Sequence, residues 1–118
     1  SLHPITTVSM EDPLFELRMW RGPVWNCMTM WATRGCMSYG RTDAAEKLLE
    51  RAIDAIAAQY EKTGTVWEFY HPFIGDPMQL ERKPYTPNNT PCRDYLGHIP
   101  VIYMARLWEA SVQANASK

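Results

Sequence analysis

The sequence predicts an all-α chain of helical hairpins, with one long irregular loop and at most a short β element near residues 65–70. Three observations predict it. Ala45, Leu48, Leu49, Ala52, Ile53, Ile56, Ala57 and Tyr60 step mostly by three and four, the spacing of one helix face. Two further runs of helical length, 23–39 and 99–113, are rich in apolar residues. Between 77 and 94 the chain carries Pro84, Pro87 and Pro91 among few apolar residues, so a regular element is not expected there. At 118 residues the chain has the size of one small domain.

Residues 1–19 hold Pro4, Pro13, Glu11 and Asp12 with little periodicity, and read as an extended lead-in with a short strand near Phe15-Glu16-Leu17. In Trp20-Arg21-Gly22-Pro23-Val24-Trp25, Gly22 permits a close backbone approach. Pro23 suits the first position of a helix, which the sequence places over 23–39 with Gly40 after its end. Its face Met28, Trp31, Ala32, Gly35 and Tyr39 is widened by Val24, Cys27, Met30 and Met37, so the helix is apolar almost all round and calls for burial. Thr42 is placed to cap a second helix over 43–62, with Asp43 and Glu46 at its positive end and Gly64 as its stop. Joined through Gly40-Arg41, the two make an αα-hairpin. After a turn at Phe73–Pro77 and the irregular segment, which covers 71–98 in all, a third helix is expected over 99–113. Pro100 sits early in that helix, His98 caps its start and the tail 114–118 frays.

Thr65-Val66-Trp67-Glu68-Phe69-Tyr70-His71-Pro72 places one carboxylate among aromatic rings. A partly desolvated acid suits general acid–base work, and flat ring faces suit a sugar. A plain edge strand with alternating exposure explains the same octapeptide. Five Trp and six Tyr are many for so short a chain, and are used by cores and by carbohydrate surfaces alike. Net charge −1 with pI near 6.3 leaves no basic face for nucleic acid. No apolar run approaches the ~20 residues of a membrane span, and no signal-peptide pattern leads the chain. Cys27, Cys36 and Cys92 are odd in number and lack metal-ligand spacing. They read as reduced, mostly buried thiols, with no metal, no cofactor and a cytoplasmic location expected. Met28, Met30 and Met37 read as core filler.

Trp20 to Trp25, then Tyr39-Gly40, then Gly64 to Pro72 with Gly75, then Tyr95-Leu96-Gly97-His98 and Met104 to Trp108 together resemble the C-terminal part of the trehalase-like glycoside hydrolases. This is the family-63 and mannosylglycerate-hydrolase-like group, and the resemblance covers roughly residues 15–109. It implies that the chain is part of an (α/α)6 toroid, the C-terminal portion of a six-hairpin catalytic domain. It implies inverting O-glycosyl hydrolysis with Glu68 as general base, the carboxylate that activates water. Trp20 by stacking and Arg21 by hydrogen bonds resemble the residues lining the sugar subsite, Trp25 a further wall residue and Tyr70 a neighbour of the base. Arg21 is also expected to offset the desolvation of Glu68, or else to pair with an acid of a hairpin.

No residue matches the family's general acid, an Asp of an earlier hairpin; Asp12 and Asp94 stand in a different context. The chain by itself is therefore expected to hold half of a catalytic pair and to be inactive as an isolated segment. Its partners are expected to be a carbohydrate substrate and either the remaining N-terminal part of the toroid or another protomer, as in a homo-oligomer. A non-catalytic sugar-binding module and a purely structural helical module are the other readings of these residues.

Overall fold

The computed structural model describes residues 2–95, 97 and 100–118. Three α-helices and one 3-10 turn (η1, Pro77–Gln79) make up its regular structure, and among the described residues there is no strand, only three isolated bridges. The fold is all-α. α1 spans Asn26–Ser38, α2 Thr42–Thr63 and α3 Pro100–Ala116, and each packs against the other two.

α1 begins three residues later than proline placement implies. Val24 exchanges both backbone bonds with Tyr70, at 3.0 and 2.9 Å, so its peptide belongs to a bridge and not to a first helical turn. Trp25 is then the N-cap, with extended dihedrals. At the other end the Arg41 amide donates to the Cys36 carbonyl at 2.8 Å and the Gly40 amide to Met37 at 3.1 Å. That is the Schellman pattern, and it uses the positive φ of Gly40. The chain enters α2 through Arg41, which makes no side-chain cap. Thr42, expected to cap, is instead the first helical residue, and its hydroxyl donates to Asn115 Oδ1 of α3 at 2.6 Å. Gly64, left-handed at φ 70°, closes α2.

The helical core consists of Ala45, Leu49, Ala52 and Ile56 of α2, Met104 of α3, and Trp67 and Tyr70 of the segment after α2. A second cluster, Trp25, Cys27, Phe69 and Leu80, lies under the proline-rich loop. Residues 65–72 are buried almost without a break, so the alternating exposure of an edge strand is absent. The segment runs between the two clusters and feeds both.

The lead-in forms no strand at Phe15–Leu17; a single parallel bridge joins Arg18 to Glu81. The C-terminal tail is helical to Ala116 rather than frayed, because the Asn115 amide donates to the Thr42 carbonyl at 3.2 Å and to the Glu46 carboxylate. His98 and Ile99, the expected start of α3, lie outside the described residues. No helix is long and apolar enough to cross a membrane among the described residues. The three cysteines are free, Cys27 buried, Cys36 half-buried and Cys92 exposed.

Candidate active site

Trp20 and Trp25 stack at 3.8 Å between ring centroids and 12° between planes. Trp25 stacks in turn on Phe69 at 5.1 Å, and Tyr95 meets it edge-on at 6.2 Å. Between the two indoles the backbone passes close at Gly22: a Cβ there would stand 2.3 Å from the Glu16 carbonyl oxygen and 2.8 Å from the Phe15 ring. The Trp25 indole N–H donates to the Met19 carbonyl at 2.9 Å, which fixes the ring. Covered on both faces, Trp25 is 4% exposed, whereas Trp20 at 44% keeps an open face.

Trp20 also lines a hollow of about 380 Å³, together with Arg18, Met19, Arg21, Arg82 and Pro84. Arg21 is largely exposed here and reaches Glu16 Oε1 at 3.4 Å. Glu16 also holds Arg18, at 2.5 Å.

Glu68 is 5% exposed, and its carboxylate is held from two directions. Arg82 donates through Nε to Oε2 at 2.8 Å and through Nη2 to Oε1 at 3.4 Å. The Cys92 amide donates to Oε2 at 3.1 Å, while the Glu68 amide donates to the Cys92 carbonyl at 3.0 Å. The cation beside Glu68 is therefore Arg82 and not Arg21. A buried carboxylate without such a partner would carry a large desolvation cost. The bond to Glu68 raises the Arg82 pKa further above its usual value. Burial, then the nearby Glu68 charge, pushes the Tyr95 hydroxyl up, and the Cys92 thiol is raised by burial and by its bond to Glu68.

The loop that carries Arg82 is anchored rather than loose. Leu80 fills the second cluster, the Arg82 amide donates to Asn89 Oδ1 at 3.0 Å, and the Tyr95 amide to the Val66 carbonyl at 3.0 Å. Asp94 and Thr65 bond reciprocally, at 2.9 and 2.7 Å.

Of the residues singled out in the sequence, Trp20 and Arg21 line the hollow and Trp25 backs it. Glu68 stands behind Arg82. Tyr70 points the other way, fully buried in the helical core, where its hydroxyl accepts from the Trp67 amide at 3.0 Å and its ring lies 5.0 Å from that of His3. Sequence reasoning passed over Arg82. The available signal was a cationic pair, Arg82-Lys83, inside a loop of unusual length. Among the described residues no group of three or more His, Cys, Asp or Glu could hold a metal ion.

Comparison with known proteins agrees on one family. Residues 2–90 match the mannosylglycerate hydrolase MGH1-like glycoside hydrolase domain. Two curated relatives, mannosylglycerate hydrolases MGH1 and MGH2 of Selaginella moellendorffii, are each 32% identical over 72 residues. That stretch is 60% of this chain but 14% of either relative, so the chain matches about a seventh of their length. No solved structure matches the chain.

Proposed function

From the premise that this chain belongs to the mannosylglycerate hydrolase MGH1-like glycoside hydrolase family, we propose that it supplies the water-activating carboxylate and part of the sugar subsite of an inverting O-glycosyl hydrolase. The observation that carries this reading is Glu68. It is a buried carboxylate, paired with an arginine that also lines the hollow beside Trp20. In the proposed reaction Glu68 takes a proton from a water whose oxygen bonds the anomeric carbon. The glycosidic bond breaks on the opposite face, and its oxygen is protonated by a second carboxylic acid about 6.5–9.5 Å away. That acid lies outside the residues matched here, in the rest of an (α/α)6 toroid whose C-terminal portion this chain forms.

Trp20 stacks the sugar, Arg21 donates to its hydroxyls, Trp25 supports Trp20 from behind and Tyr70 packs the base segment against the helices. The substrate class is a carbohydrate such as the mannosylglycerate in the relatives' names, and the setting is cytoplasmic. In the intact hydrolase, Glu68→Gln should reduce turnover by about 10²–10⁴-fold with sugar affinity nearly unchanged. Retained turnover refutes the base assignment.

The near-complete burial of Glu68 favours a second reading, a module that holds sugar without cleaving it. Wild-type protein that binds a sugar but releases no free anomer in a proton NMR time course selects that reading.

A further inference from the structure

A carboxylate offers about four lone-pair sites, and the protein spends them unevenly on Glu68. Oε2 accepts two bonds, from Arg82 Nε at 2.8 Å and the Cys92 amide at 3.1 Å. Among the described residues, Oε1 accepts the long bond from Arg82 Nη2, at 3.4 Å. We propose that Arg82 is the positioning residue for Glu68: together with the Cys92 amide it pins Oε2 and leaves Oε1 as the oxygen that takes the proton from water. This rests on the reading of Glu68 as general base.

The geometry carries the assignment in three ways. First, a planar guanidinium bonding both oxygens fixes the tilt of the carboxylate as well as its position, which the point charge of a lysine does not do. Second, the Glu68 and Cys92 peptides bond to each other while the Cys92 amide also bonds the side chain, so the carboxylate cannot move without the loop. Third, among the described residues the groups facing Glu68 are Arg82, the Cys92 thiol and the Tyr95 hydroxyl, with Lys83 acting on Cys92. Partial desolvation and the nearby Glu68 charge push the thiol and the phenol upward, so the positive charge against the carboxylate comes from Arg82.

The test compares Arg82→Gln and Arg82→Lys in the intact hydrolase, with NMR on the same variants. Arg82→Gln should lower kcat on the order of 10²-fold. KM should change little, and the acid limb of the kcat/KM profile should differ from wild type. Arg82→Lys should restore the limb but not kcat, because charge returns without the fork. In NMR the Cys92 amide proton reports on the carboxylate it bonds. Its pH titration should differ between wild type and Arg82→Gln, and the transition should vanish in Glu68→Gln.

A change confined to KM, or an unmoved acid limb, overturns the positioning role. If Arg82→Gln does not fold, the Lys variant decides: kcat equal to wild type overturns the role, and reduced kcat on an unshifted limb upholds it. Turnover retained by Glu68→Gln sinks the base assignment whatever Arg82 does. An amide midpoint unmoved by Arg82→Gln sinks the positioning role whatever Glu68 does.

Discussion

His3 is fully buried against Tyr70, its backbone tied to the Pro72 carbonyl at 3.0 Å. Burial, helped by the charge of Arg51 and opposed by a contact from the Pro4 backbone, lowers its pKa from 6.5 to about 4. The folded chain therefore holds His3 neutral where the unfolded chain protonates it. Stability is complete above about pH 6.5, declines as pH falls toward 4 and levels off below. Across that window the loss is roughly 3 kcal/mol. His71 is lowered as well, by burial, and adds a loss of the same sign. Urea midpoints measured from pH 4 to 7 should therefore fall with acid, and His3→Phe should flatten most of the slope. An unchanged slope in that variant would place the effect elsewhere. Gly22 is the other single residue with a sharp expectation. Its α-hydrogen faces a carbonyl oxygen that a methyl group would meet at 2.3 Å. Gly22→Ala should cost about 1–3 kcal/mol, read as a lowered Tm, and should loosen Trp20 from Trp25.

At the scale of elements, α2 is the organiser, and Leu49 lies at the centre of its buried face with no exposed surface. Leu49→Ala should destabilise by about 2–5 kcal/mol in chemical unfolding. The C-terminal turn of α3 is tied to α2 by Asn115 and Lys118. Asn115→Ala removes its bonds to Thr42 and Glu46, and should cost about 1 kcal/mol and abolish hydrogen-exchange protection over the last turn of α3. How much of this a sequence can reveal follows from how local each cause is. α2 is legible to within a residue at each end because its periodicity and Gly64 are local signals. The Gly22 approach and the Gly40 stop are legible for the same reason. The start of α1 is not, because the preference of Pro23 for a first helical turn yields to the pairing of Val24 with Tyr70, a partner far along the chain. The role of Thr42 is likewise set by Asn115, remote in sequence. Glu68 stands out in the sequence because it is the one acid in an aromatic run. Arg82 does not, since nothing in the periodicity of a proline-rich loop says where one guanidinium will point.

As a whole molecule the chain is a slab, 51 × 33 × 22 Å, with a radius of gyration of 14.5 Å. A compact domain of this length has about 13.5 Å. The excess comes with exposed apolar side chains: Trp31 on α1, Tyr60 on α2, and Ile102, Tyr103 and Trp108 on α3 are all at least about a third exposed. Such faces fit helices that expect further helical neighbours. The isolated 118-residue chain should therefore sediment above its monomer mass of 13.6 kDa. The double variant Ile102→Gln, Trp108→Gln should return it toward monomer with little change in Tm. A wild-type chain that stays monomeric at high concentration would show that these faces need no cover.

The stacked indoles of Trp20 and Trp25 also equip the molecule with an optical reporter of its own. Two indoles stacked 3.8 Å apart couple their transitions, and any split circular-dichroism band they give is set by the in-plane angle between those transitions. On the proposed reading, a sugar ring settling on the outer indole alters that coupling while the inner one stays shielded. Occupancy of the hollow can then be followed without a label, in variants that have lost all turnover.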